Sequence, residues 1–166
     1  MAFGIQNIEQ EDHRPTKRIR VLLVDDHAMV RQGLRKYLNH CADMELIGEA
    51  TDGAEAVHLA DQFSPDVVLM DMNMPRLNGI EATSLIKSKH PSMQIIGLSF
   101  DQKPKNRTAF LKAGARVVLD KGTAHQRLQG VISRVVQNRM VSPVAASGEH
   151  VEAGQHPCLR ETASAI

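Results

Sequence analysis

The chain has 166 residues, 42% of them hydrophobic and 23% charged, with a formal net charge of +1 and no Trp. That length and balance suit one soluble globular domain with a substantial core and some tail, built without large aromatics. The near-neutral charge argues against a general nucleic-acid binder, no apolar run reaches the length of a membrane span, and the N-terminus lacks the basic-then-apolar order of a signal peptide.

Residues 1 to about 17 are polar, end in a proline-containing segment and are expected to form a flexible leader. The basic residues Arg14, Lys17, Arg18 and Arg20 read as its solvated end. Ile19 to Val24 is a short, continuous apolar run closed by acids, the pattern of a strand buried on both faces of a parallel sheet. The next stretch sets Met29, Val30, Leu34, Tyr37 and Leu38 at helical spacing. MELIGEA predicts a second strand, and DGAEAVHLADQF a second helix that begins after a turn at Asp52-Gly53. The alternation continues with DVVLM as a third strand, LNGIEATSLIKSKH as a third helix and QIIGLS as a fourth strand. A fourth helix is predicted around KPKNRTAFLKAG, with Pro104 suited to its first turn. RVVLD predicts the fifth strand and AHQRLQGVISRVVQN the fifth helix, with Leu128, Val131, Ile132, Val135 and Val136 on one face. From about Met140 the periodicity stops, and residues 140–166 are expected to be disordered or weakly helical.

Five strand–helix alternations imply an α/β domain over residues 18–139: a flavodoxin-like (βα)5, doubly wound parallel sheet with strand order 2-1-3-4-5. Cys41 and Cys158 match no zinc or redox spacing and read as reduced thiols, and His150 and His156 have no partners at ligand spacing.

Such sheets place their sites at the carboxyl ends of the strands. Asp25 and Asp26 follow strand 1, Asp71 follows strand 3, Ser99 follows strand 4 and Lys121 follows strand 5. An acid after a strand is usually a helix cap; the residues at these four strand ends together form a coherent site. Three converging carboxylates repel one another and call for a hard cation such as Mg²⁺. With Lys121 and the Ser99 hydroxyl disposed around a phosphoryl group, Asp71 is placed to act as a carboxylate nucleophile and form an aspartyl phosphate.

VLLVDDHAMVRQGLRKYL, VVLMDMNMPRLNGIEAT, IIGLS and AGARVVLDK resemble the receiver domain of two-component response regulators. DDHAMVRQGL and EATDGAEAV resemble its NarL/FixJ subfamily in particular, and the likeness runs from about Arg18 to Asn138. The resemblance implies that Asp71 is the phospho-acceptor, Ser99 the switch hydroxyl and Lys121 the phosphate-contacting lysine. It implies that Asp26 and Asp71 bind Mg²⁺ directly, Asn73 through its backbone carbonyl and Asp25 mostly through water. Pro75 fits the Met-Pro step after the acceptor loop and Gly79 the turn into the third helix. Four positions depart from the pattern. Val118 stands where a switching Tyr or Phe is usual, Phe100 where a small residue is usual, Asp120 where an apolar one is, and Gly122 in place of a frequent proline. Phe100 is expected to be a core residue rather than a substitute for the moving aromatic. Strand alternation is expected to turn Asp120 away from Lys121.

The resemblance further implies a cytoplasmic phosphorelay protein, phosphorylated by a sensor histidine kinase or a histidine phosphotransfer protein and signalling to a downstream protein. It would not be an enzyme beyond catalysing its own phosphorylation and dephosphorylation. NarL/FixJ regulators continue into a helix-turn-helix domain, and QNRMVSPVAA resembles the linker to it. The residues that follow are too few for that module, so specific DNA binding by this chain is not expected. Homodimerisation through the helix 1–helix 5 face or the helix 4 face stays open. A receiver-like interaction module that no longer switches is the alternative, suited by Val118 and Phe100. A haloacid-dehalogenase-type phosphatase ranks last, because there the nucleophile precedes the acid pair and a second carboxylate follows two residues on, where this chain has Asn73.

Overall fold

The computed structural model describes residues 17–101 and 103–140; residues 1–16 and 141–166, which hold the expected leader and tail, lie outside the described residues. Strands β1 (Ile19–Val24), β2 (Met44–Ala50), β3 (Val67–Asp71), β4 (Gln94–Ser99) and β5 (Val117–Asp120) alternate with helices. These are α1 (Ala28–Asn39), α2 (Gly53–Phe63), α3 (Gly79–Lys89), α4 (Pro104–Lys112) and α5 (Leu128–Met140). Every strand pairing is parallel and the order is β2-β1-β3-β4-β5, the expected flavodoxin-like topology.

Each central strand reads as an unbroken apolar run because helices cover both faces of the sheet. Side-chain alternation then sorts each run into two cores. Leu22, Val24, Val68, Met70 and Ile95 face Ala56 and Ala60 of α2, Ala82 and Ile86 of α3 and Phe110 of α4. Val21, Leu23, Val67, Leu69, Ile96 and Leu98 face Leu34 and Leu38 of α1 and Leu128, Ile132 and Val135 of α5. The starts of α2 and α3 are chemically marked. Asp52 caps α2, accepting from the Ala54 and Glu55 N–H groups at 2.8 and 2.9 Å, and Asn78 caps α3, accepting from the Glu81 N–H at 2.9 Å.

The structure departs from the sequence expectations at a few points. β3 ends one residue later than read, so Asp71 is itself the last strand residue and is buried. The expected fifth helix is broken: a 3₁₀ turn at Ala124–Gln126 precedes α5. Thr123 gives this segment no side-chain cap, because its hydroxyl is spent on Asp120 Oδ1 at 3.3 Å. Met29, expected on the apolar face of the first helix, is 79% exposed on the first turn of α1, whereas Leu34 and Leu38 are buried and Val30 and Tyr37 half-buried.

Candidate functional site

The site is assembled at the open end of the sheet, where β1, β3, β4 and β5 hand over to their helices. Backbone hydrogen bonds tie these ends together: Asp25 N to Ala50 O, Met72 N to Leu98 O and Lys121 N to Ser99 O, at 3.0–3.1 Å. Asp25 and Asp71 are buried, and one ammonium serves both. Lys121 Nζ lies 2.8 Å from Asp25 Oδ2 and 2.8 Å from Asp71 Oδ2, with its side chain only 2% exposed. Beyond this ionic contact neither Oδ2 has a hydrogen-bond partner. Asp25 Oδ1 accepts from the His27 N–H at 2.9 Å and Asp71 Oδ1 from the Asn73 N–H at 3.2 Å, so each carboxylate is oriented by its own loop.

Burial pushes the Asp71 carboxyl above the usual carboxylate range. The Lys121 ammonium opposes that rise, the charge of Asp25 adds to it and the Asn73 N–H works against it.

Asp25, Asp26, His27 and Asp71 each present a ligand atom, and these atoms lie within 4.8 Å of one another. The donor set is dominated by carboxylate oxygens, two of them buried with no partner beyond the Lys121 ammonium that Asp25 and Asp71 share, while Asp26 lies against His27. This fits a hard divalent cation. Asn73 is exposed on the rim, two residues beyond Asp71. Ser99 is buried at the end of β4; its hydroxyl donates to the Asp101 carbonyl at 3.0 Å and accepts from the Asp101 N–H at 2.9 Å.

Phe100 corrects an expectation. It is 61% exposed rather than in the core, and its ring centroid lies 5.2 Å from Lys121 Nζ. β4 ends at Ser99, so Phe100 falls outside the sheet, while the space against Gly97 is filled by Phe110. Outside the core, the ring covers the shared ammonium and makes a cation–π contact with it. Val118 is buried in the core among α2, α3 and α4, and Asp120 Oδ1 accepts from the Thr123 N–H at 3.0 Å.

Two groups escaped the sequence reading. His27, next to the acid pair, brings Nδ1 to 2.7 Å from Asp26 Oδ1, an approach only the local turn reveals. The acceptor loop is also clamped to α2. Arg76, with a left-handed φ of 65°, pairs its guanidinium with Asp52, and Gly53 N donates to Leu77 O at 3.1 Å. The Glu55 N–H first and the Arg76 guanidinium with it hold the Asp52 carboxyl below the usual range against its burial.

A sequence profile of the response regulator receiver domain matches residues 21–133. The response regulator GacA of Pseudomonas viridiflava is 35% identical over 129 residues, which is 77% of this chain and 60% of that protein. The transcriptional regulatory protein LiaR of Bacillus subtilis is 53% identical over 81 residues, 49% of this chain and 38% of that protein. The chain thus matches less than two thirds of the length of these curated relatives. The crystal structure of the response regulator domain of Thermotoga maritima CheB superposes with a TM-score of 0.69 at 33% identity, covering 76% of this chain and all of that one. By its sequence profile, its relatives and its fold, the chain belongs to the receiver-domain family of two-component response regulators.

Proposed function

We propose that Asp71 is the phospho-acceptor of this receiver, which comprises residues 18–139. The observation that carries this reading is the buried Asp71 carboxylate held 2.8 Å from the buried Lys121 ammonium at the open end of the sheet. In the transfer, an Asp71 carboxylate oxygen forms a bond to phosphorus as the donor's bond to phosphorus breaks, and the donor leaves with the electron pair. Lys121 neutralises charge on the incoming phosphoryl group. Ser99 exchanges its hydrogen bond to the Asp101 carbonyl for one to a phosphoryl oxygen. Asp26, Asp71 and the Asn73 carbonyl would hold Mg²⁺, with Asp25 acting through water. When bound, the ion offsets the repulsion between the carboxylates and the phosphoryl oxygens. The phosphoryl donor is a histidine kinase or histidine phosphotransfer protein in the cytoplasm, and the face formed by α4, β5 and α5 meets a downstream protein.

Intact-mass measurement with Mg²⁺ and acetyl phosphate or phosphoramidate tests the assignment. One added phosphoryl group is expected, absent from Asp71→Asn and from EDTA-treated samples. An adduct that survives in Asp71→Asn would sink it.

A second reading has its own observation. Val118 is buried and Phe100 exposed, so no aromatic stands at the position that moves in switching relatives. A receiver that no longer switches would take the phosphoryl group without altering amide hydrogen exchange over α4 and β5. A change in exchange on phosphorylation excludes it.

A further inference from the structure

The acidic crevice holds one donor that the chemistry above leaves unused. His27 precedes the first residue of α1, and its Nδ1 lies 2.7 Å from Asp26 Oδ1, 3.3 Å from Asp25 Oδ1 and 4.0 Å from Asp71 Oδ2. Its backbone N–H is fixed on Asp25 Oδ1, so ring and carboxylate belong to one turn. The side chain is 57% exposed, so core packing does not force it inward; it leans toward the carboxylates. An octahedral ion with ligands at roughly 2.1 Å holds neighbouring ligands about 3.0 Å apart and opposite ones about 4.2 Å apart. The distances from Nδ1 to the two side chains proposed as direct ligands, Asp26 and Asp71, therefore match one neighbouring edge and one nearly opposite pair.

We infer that His27 is a direct nitrogen ligand to the divalent cation of this crevice, and that it makes the site favour first-row transition ions over Mg²⁺ more than carboxylates alone would. The inference rests on the proposed cation site. Mg²⁺ takes oxygen ligands and keeps its waters, so it gains little from an imidazole. Mn²⁺, Co²⁺ and Zn²⁺ accept nitrogen readily, with affinity for such sites rising along the series toward copper. The coordinating tautomer carries its proton on Nε2, leaving the Nδ1 lone pair for the metal in place of the contact with Asp26.

The test uses the whole chain beside His27→Gln and His27→Ala, substitutions at an exposed side chain. Mg²⁺ and Co²⁺ affinities are measured by calorimetry at fixed pH, and Mn²⁺-loaded samples are examined by pulsed electron paramagnetic resonance for imidazole nitrogen coupling. Nitrogen coupling is expected in the wild-type chain and absent in both variants. Co²⁺ affinity should fall on the order of tenfold or more, while Mg²⁺ affinity changes by less than about twofold. Coupling that is absent from the wild type or persists in the variants, or affinities for the two ions that fall together, would overturn the inference and leave the cation site standing. A wild-type chain that binds none of the three ions would overturn the cation site itself, and the inference with it.

Discussion

Asp71 carries a conflict between chemistry and stability. Burial raises its carboxyl, Lys121 counters this, and the charge of Asp25 adds to the rise. Because the folded value lies above that of the unfolded chain, about 3.9, ionising Asp71 disfavours the fold. That cost is fully present above the folded value and absent below the unfolded one. Asp71→Asn leaves Lys121 paired one-to-one with Asp25. In metal-free buffer at neutral pH the variant is expected to melt a few degrees above the wild type. The difference should shrink as the pH falls from above the raised folded value to below about 3.9, and circular-dichroism melts across that window would show it. A variant that melts lower at neutral pH would mean that the pair with Lys121 outweighs the burial of the carboxylate. At this scale the chain was only partly legible. The acids, Ser99 and Lys121 stand out because each ends an apolar run. The positions of Phe100 and His27 depend on where β4 stops and how the turn after β1 folds, which hydrophobic periodicity does not encode.

Between elements, the tightest constraint near the site is the approach of α3 to the end of β3. A Cβ added at Gly79 would stand 1.8 Å from the Asp71 carbonyl oxygen and 3.1 Å from Met70 Cγ. The Gly79 N–H meanwhile donates to Met72 O at 3.0 Å. The obstacle is backbone, so no side-chain rotation relieves it. Gly79→Ala must push α3 away from β3, at a cost of about 1–3 kcal/mol or more, and must displace the acceptor loop with it. Urea unfolding should show the loss. Phosphorylation by acetyl phosphate, measured where the variant is fully folded, should slow as well. Stability and rate both equal to wild type would refute the close approach. Element identity was readable because both-face burial writes β1, β3 and β4 as continuous apolar runs and the helices as periodic ones. The break before α5 and the Arg76–Asp52 clamp were not readable, since the first follows from a cap spent elsewhere and the second from a partner distant in sequence.

The whole molecule is one sheet shared by two cores, and that arrangement has a consequence for how it unfolds. Phe110 is completely buried in the layer of α2, α3 and α4, against Gly97 of β4. Tyr37, the only tyrosine in a chain without Trp, packs in the opposite layer beside α5, where its hydroxyl accepts from the Gln129 N–H at 3.4 Å. Neighbouring residues of one strand, Ile95 and Ile96, point into opposite layers, so neither layer can open without stripping cover from strands that also support the other. Phe110→Ala is expected to destabilise the protein by about 3–5 kcal/mol. The loss should register equally in Tyr37 fluorescence, which reports the far layer, and in far-ultraviolet circular dichroism, which reports the whole sheet and its helices. Coincident urea midpoints for the two probes, shifted together by the substitution, are the signature of a single cooperative unit. If the Tyr37 transition stayed in place while the circular-dichroism midpoint fell, the two layers would be separable, and a signal arising at the site could remain confined to one face of the sheet.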